Sequence, residues 1–285
     1  MAAMPDLRPI FVCGPTAAGK SAIALALAES LDGEIVNADA YQVYRGLEIL
    51  SAAPGPEDLA RVPHHLFGIL DPSESFDAFA YRQLAVPVIA AIAARGRVPI
   101  VVGGSGMYLK FLTHGISPVP ASDPATRAAL DSRSTEDLVA EFQNLDPLGA
   151  ARTNLSNRRY VIRALEICLL SGKPMSAIKD AWISASAAHT ATLRGILVNP
   201  PADELRSRIA ARTRSILDSG ARDEVAALVN PSATCEKAIG IAQIRRWITG
   251  EINRPTCESL ITHATSQYAK RQRTWFKKET WLRGL

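Results

Sequence analysis

The stretch Ile10-Phe11-Val12-Cys13-Gly14-Pro15-Thr16-Ala17-Ala18-Gly19-Lys20-Ser21 decides the fold of this 285-residue chain. A short β-branched and aromatic run meets Gly-x-x-x-x-Gly-Lys-Ser, and the alanine-rich apolar segment Ala22 to Leu31 follows. Strand, turn and helix in that order form the context a phosphate-binding loop requires. Gly14 and Gly19 permit positive φ values, so consecutive N–H groups can point inward around an anion. A helix beginning near Lys20 adds its N-terminal partial charge to the same spot. Lys20 is placed to reach a terminal phosphate, and the Ser21 hydroxyl to sit on a magnesium ion. These residues predict an α/β fold, a P-loop core with a central parallel sheet flanked by helices. The loop reads a diphosphate and leaves open what is attached to it, so function has to come from the groups around it.

Working outward, a 47% hydrophobic content supplies a sizeable core, and a 21% charged fraction argues against disorder. No apolar run approaches the roughly 20 residues of a membrane span. About eight residues precede the first strand, too few for a signal or transit peptide, so a cytoplasmic protein is expected. Cys13, Cys168, Cys235 and Cys257 are far apart and lack zinc-type spacing. They read as four free thiols. The net charge of +4 is unevenly placed. Between His263 and Leu285, Lys270, Arg271, Arg273, Lys277, Lys278 and Arg283 face Glu279 alone, and the rest of the chain is close to neutral. One basic end on a near-neutral body implies a polyanionic partner.

After the first unit comes Glu34-Ile35-Val36-Asn37-Ala38-Asp39, a second apolar run ending in a carboxylate. Ligands of open α/β sheets collect at the carboxyl ends of strands, which puts Asp39 beside the bound phosphates. Tyr41 to Arg45 is polar and aromatic, suited to a flat base or sugar. Ser51 to Pro56 reads as loop. His64-His65 point in opposite directions in a strand and have no further ligand nearby, so they make a poor metal site. Phe76 to Ala94 has helical periodicity and ends at Arg95-Gly96. Val98 to Val102 is a buried strand running into Gly103-Gly104-Ser105-Gly106, a second strand–glycine–helix junction. Ser105 there is either a hydroxyl donor to phosphates or a helix N-cap.

From about Pro120 to about Ala191 the pattern is helical, with Ser184 to Ala191 as a small-residue linker. Arg159 and Arg163, four apart, share a helix face suited to clamping a phosphate, or else pair with carboxylates such as Glu166. Leu193 to Val198 restores a strand, and helices follow from Asp203, Ala221 and Gln243. Thr262 to Leu285 reads as one final helix, with Tyr268, Trp275, Phe276 and Trp281 among its cations. That interleaving suits phosphate tracking with base stacking, with Lys270 and Arg271 as RNA contacts, or a packed aromatic stripe. The expected organisation is a core of 1–119 with 192–285 and a helical insertion at 120–191.

Six motifs occur together and in order: Gly14 to Ser21, Asp39-Ala40-Tyr41-Gln42-Val43-Tyr44, Pro63-His64-His65-Leu66, Val102 to Leu109, Arg163-Ala164-Leu165-Glu166, and Tyr268 to Gln272 followed by Thr274-Trp275-Phe276. On these the chain resembles the tRNA dimethylallyltransferases, from Pro9 to Lys278. The resemblance implies transfer of a dimethylallyl group from its diphosphate to the exocyclic amine of the adenosine beside the tRNA anticodon, on its 3′ side. It implies that Asp39 takes the amine proton, and that Gly14, Thr16, Gly19, Lys20, Ser21 and Arg163 hold the diphosphate, with Ala17 and Ala18 acting through backbone. Lys20 and Ser105 are the further catalytic candidates. Asp39, Ala40, Tyr41, Gln42, Ser105, Arg127 and the run Arg159-Tyr160-Val161-Ile162-Arg163 are implied tRNA contacts, and Mg²⁺ at Ser21 is the implied cofactor.

The chain departs from the family pattern at four places. Ala40 replaces the usual Ser and Ser105 the usual Thr. Ser51-Ala52-Ala53-Pro54 lacks the family's Lys, and Tyr160 stands where Arg is frequent. The eukaryotic zinc-finger extension is absent, as in a minimal bacterial form. A nucleoside or nucleotide kinase is the rival reading, with Asp39 as base on a hydroxyl. It leaves the basic tail unexplained. A non-catalytic RNA-binding scaffold explains the tail and leaves Asp39 idle.

Overall fold

The apolar run beginning at Ile10 becomes β1 (Ile10–Cys13), buried along its whole length, and the glycine loop after it opens onto α1 (Lys20–Ser30). The computed structural model describes residues 6–285. Next come β2 (Gly33–Asn37), α2 (Glu48–Ser51), α3 (Pro56–Arg61), β3 (His64–His65), α4 (Ala78–Ala94), β4 (Val98–Gly103) and α5 (Gly106–His114). The helices α6 (Pro124–Asp131), α7 (Thr135–Leu145), α8 (Pro147–Arg152), α9 (Arg158–Ser171) and α10 (Met175–Thr190) follow without an intervening strand. The chain then adds β5 (Arg194–Leu197), α11 (Ala202–Asp218), α12 (Ala221–Ala226), α13 (Ile241–Ile248), α14 (Arg254–Phe276) and β6 (Leu282–Gly284).

The six strands form one sheet in the order β3-β2-β4-β1-β5-β6, and every pairing is parallel. Strands covered on both faces read as continuous apolar runs rather than alternating ones, as β1 and β4 do. Ile10, Val12, Ile35 and Ile100 pack on one face with Ala24, Leu25 and Ala28 of α1. Phe11, Val36 and Val101 pack on the other with Tyr81, Ala85 and Ile92 of α4 and Phe276 of α14. A third cluster joins Leu47 and Leu50 to Leu217, Ile241, Ile244 and Ile261.

The chain divides into two units, one made of the residues up to Thr113 together with Ala191–Leu285, the other His114–Thr190. The second begins before the expected Pro120, because the His114 carbonyl accepts a 2.9 Å hydrogen bond from Trp182 of α10 and so belongs to the helical unit. Its core is Leu130, Leu138, Phe142, Val161, Leu165 and neighbours.

Three readings of the sequence are corrected. Ser184 to Thr190 is no linker but the last two turns of α10, since serine and alanine with no glycine or proline do not stop a helix. Ser51 and Pro56 belong to α2 and α3, leaving a shorter loop between them; Glu224 fixes α2 by accepting from the Ile49 and Leu50 N–H groups at 2.7 and 2.8 Å. The two-residue β3 carries no period long enough to read. The C-terminal segment is not one helix: α14 ends at Phe276 and the chain turns so that β6 pairs with β5. Trp281 makes that turn, its ring edge-on to Phe11 at 5.3 Å and its Nε1 donating to Glu279. Burial of an indole against the sheet outweighs continuation of the helix.

Candidate active site

The parallel register brings the carboxyl ends of β1, β2 and β4 to one edge, where Cys13 pairs with Gly103 and Asn37 with Val102. Three turns follow these strands. In the first, Ala17 and Gly19 take left-handed backbone (φ 60° and 94°), and Gly14 is glycine because a Cβ would collide with the Val198 carbonyl. Lys20 opens α1, and its Nζ donates to the Pro15 carbonyl at 2.7 Å, back across the loop. Burial pushes its pKa down to about 8, with Asp39 pulling the other way. The exposed Ser21 makes no side-chain hydrogen bond among the described residues.

The second turn holds Asp39. Asn37, fully buried, accepts from Asp39 N–H at 2.8 Å and donates to the Asp39 and Leu66 carbonyls at 3.1 and 3.0 Å. Asp39 Oδ1 accepts from Tyr41 N–H at 3.0 Å, while Oδ2 makes no hydrogen bond among the described residues. Burial raises the Tyr41 phenol to about 12, so it stays protonated. Gln42 donates to the Ser51 and Ala52 carbonyls at 3.2 and 2.9 Å.

Ser105 lies in the third turn. Its hydroxyl accepts from Ala40 N–H at 2.9 Å, so it ties the Asp39 turn to β4, and its side chain also bonds the Tyr268 phenol. Among the described residues its side chain makes no helix-capping bond. The contact uses backbone at position 40, so it is indifferent to Ala40 standing in for Ser. The glycines here give room to α14: a Cβ on Gly106 would lie 2.7 Å from the Trp275 ring, and one on Gly104 would run into Gln272.

Two cavities open at this edge. One is mostly aliphatic, with Leu47, Leu50, Ile209, Ile216, Ile239 and Ile261 in its wall. The other is polar, with Lys20, Ser21, Gln42, Asp58 and His64. Thr16, Asp39 and Arg212 line both. Arg212, which the sequence reading missed, donates to the Ser51 carbonyl at 2.9 Å, and burial lowers its pKa against the pull of Asp39. It hides among the charges of α11. Its only sequence signal is the face it shares with Ile209, Thr213 and Ile216, an arginine on an apolar stripe. Asn37 and Gln272 were missed as well, because amides leave no mark in charge or periodicity.

The remaining candidates are distributed as follows. In the helical unit, Arg163 donates to Glu166 at 2.6 Å and to the Pro120 carbonyl at 2.6 Å, so the local carboxylate pairing holds and the paired-guanidinium clamp with Arg159 does not form. Glu166 is fully buried and also accepts from Ser122 Oγ and Asp123 N–H. Val161 and Ile162 face the core of that unit, which removes their side chains from direct RNA contact. Arg159 and Tyr160 are exposed, and Arg127 donates to Ser122 Oγ at 3.1 Å. His65 is bonded to Glu34 at 2.6 Å rather than to a metal cluster, none being present among the described residues. On α14 and in the turn after it the aromatic side chains pack inward, which favours the packed stripe over base stacking for Trp275, Phe276 and Trp281. Lys270 and Arg271 stay exposed, and none of the six cations of this segment is ion-paired among the described residues.

The IPP transferase family model matches residues 42–279. The chain is 49% identical over 276 residues to a tRNA dimethylallyltransferase of Akkermansia muciniphila, covering 97% of this chain and 92% of that one. It is 39% identical over 278 residues to the tRNA dimethylallyltransferase of Geobacter sulfurreducens, covering 95% and 89%. Among solved structures, the full-length tRNA isopentenylpyrophosphate transferase of Bacillus halodurans superposes with a TM-score of 0.71 at 31% identity, covering 98% of this chain and 90% of that one.

Proposed function

The chain belongs to the tRNA dimethylallyltransferase (IPP transferase) family, and from that premise we infer how its residues carry out prenyl transfer to tRNA. The reading is transfer of the dimethylallyl group of dimethylallyl diphosphate to the exocyclic amine of the adenosine 3′-adjacent to the anticodon. The single observation that carries the assignment of residues is the sharing of Thr16, Asp39 and Arg212 by an aliphatic cavity and a polar one. A prenyl diphosphate has that division built into it: hydrocarbon on one side of the scissile C–O bond, a polyanionic diphosphate on the other.

The C5 chain occupies the aliphatic cavity between Leu47, Leu50 and Ile261, out of water, which also protects an allylic carbon from hydrolysis. The diphosphate sits in the polar cavity on those loop N–H groups between Gly14 and Ser21 that are not already bonded to Gln272 or Pro15. Lys20 and Arg212 meet the charge that develops as the C–O bond breaks. To do so Lys20 exchanges its bond to the Pro15 carbonyl for one to phosphate. An adenine amine is a weak nucleophile, and Asp39 Oδ2, with no competing donor, takes its proton as the C–N bond forms. Ser105 and Asn37 hold the turn that aims it.

The donor set fits magnesium rather than a softer metal. Ser21 and Asp39 offer hard oxygens, and no cluster of three His, Cys, Asp or Glu side chains competes among the described residues. Magnesium held at Ser21 supplies neutralisation of the leaving diphosphate. The tRNA lies across the exposed cations of α14, Lys270 and Arg271, with Tyr41 and Gln42 beside the acceptor adenosine and Arg127, Arg159 and Tyr160 as RNA-facing positions of the helical unit. No helix among the described residues is long and apolar enough to cross a membrane, and a cytoplasmic site of action agrees with a tRNA substrate. The kinase reading gains nothing from an aliphatic cavity beside the loop.

Incubating the protein with tRNA, dimethylallyl diphosphate and Mg²⁺, then measuring nucleoside masses, tests the assignment; a prenylated adenosine is expected. Asp39→Asn should lower turnover about 10²- to 10⁴-fold while tRNA affinity stays within about threefold. Unchanged turnover would remove Asp39 as the base. Phosphorylation of a nucleoside from ATP, with tRNA left unmodified, would overturn the whole reading.

A further inference from the structure

We propose that Gln272 is a positioning residue for the transfer step, holding Thr16 at the junction of the two cavities; the inference rests on the reading of the reaction above. Gln272 lies on the inner face of α14, 5% exposed, one residue from Arg271 and one from Arg273 on the helix that carries the exposed cations. Both ends of its amide are used. Oε1 accepts from the Thr16 N–H at 2.8 Å, and Nε2 donates to the Gly104 carbonyl at 2.9 Å. One side chain thus joins the turn after β1 to the turn after β4. The approach is close enough to dictate sequence: a Cβ on Gly104 would run into Gln272 Nε2 and lie 2.7 Å from the Gly14 carbonyl.

Thr16 is what this bracing places. Thr16 lines both cavities, beside Asp39 and Arg212, and its side chain makes no hydrogen bond of its own among the described residues. With its N–H pinned, the Thr16 backbone is set before substrate arrives, at the junction of the aliphatic and polar cavities. A buried amide costs free energy unless both its ends are satisfied, and an aliphatic side chain of similar length would pack α14 onto the sheet equally well. What the amide adds over packing is the coordinates of two backbone groups. Misplacing a reacting group by about 1 Å costs on the order of a hundredfold in rate.

The test is a double-mutant cycle on the single-turnover rate of dimethylallyl transfer to tRNA, using Gln272→Met, Gln272→Glu, Thr16→Val and the double variants. Gln272→Met should slow the chemical step about 100-fold, with dimethylallyl diphosphate and tRNA affinities within about threefold. Gln272→Glu keeps the acceptor for Thr16 N–H and should retain more of the rate. In the Thr16→Val background either change should cost less than about threefold, because its effect runs through Thr16. Full additivity, or a wild-type rate in Gln272→Met, overturns the proposal; a general packing defect would also be additive. Should Gln272→Met fail to fold, the Gln272→Glu arm completes the same cycle. Hydrogen exchange at the Thr16 amide reads the contact apart from activity. It should be protected in the wild type and at least about tenfold faster in Gln272→Met. Equal protection would sink the proposal even if no prenyl transfer were seen, whereas a wild type that transfers no prenyl group overturns the reaction assignment instead.

Discussion

At the scale of single residues the site is governed by where charge is out of water. Lys20 has its pKa pushed down to about 8 from an ordinary 10.5 because it is desolvated without a full countercharge. The sign follows from proton counting: between about pH 8 and 10.5 the unfolded chain binds more protons than the folded one, so the apo protein gains stability as pH rises through that window. Diphosphate binding needs the charged form and runs the other way. Its affinity is expected to fall as pH rises above about 8, measurable by calorimetry at fixed Mg²⁺. In Lys20→Ala that pH dependence should vanish, and turnover should drop by roughly 10²-fold or more. Lys20, Ser21 and Asp39 were legible in the sequence because motif spacing and strand ends mark such residues. Arg212, Asn37 and Gln272 were not, since their partners are 161, 29 and 256 residues away in the chain.

At the scale of elements, α14 has two unlike faces. Tyr268, Gln272 and Trp275 turn inward onto the aliphatic cavity and the glycines of the third turn, and Lys270, Arg271 and Lys277 turn outward. Only the outward face bears on the polyanion. Lys270→Gln with Arg271→Gln should weaken tRNA binding at low salt and flatten the slope of log affinity against log salt by about 1 to 2, with the rate at saturating tRNA little changed. An unaltered slope would place the RNA elsewhere. The cation bias of this segment was readable from composition, but its direction of packing was not. A helical wheel gives Trp275 a face without saying that Gly106 has left space opposite it. The strand β6 escaped for a related reason, as three residues carry no period.

At the scale of the molecule, the parallel sheet flanked by helices and the helical insertion followed from alternating apolar runs and a change of composition, while the strand order and the exact border did not. Within the unit His114–Thr190, Glu166 is the buried centre. Burial works to raise its pKa, and the bonds from Ser122, Arg163 and Asp123 N–H outweigh it, holding the carboxyl below its usual range. Its contribution is therefore present above the unfolded value of 4.5 and fades as pH falls through the lower folded one. Glu166→Ala strands Arg163 and two further donors and should destabilise this unit by about 3 kcal/mol. Hydrogen exchange should quicken across α6 and α9 while β1 and β4 remain protected. The topology also has a consequence for biosynthesis. β1 emerges from the ribosome early but is bordered by β4 on one side and β5 on the other, and translation of His114–Thr190 falls between those two. The nascent phosphate loop is thus held half-paired until that segment has been made. Its exposure to proteases and chaperones depends on how fast ribosomes traverse the insertion codons, so slow codons there should lower the yield of folded enzyme without altering a single side chain.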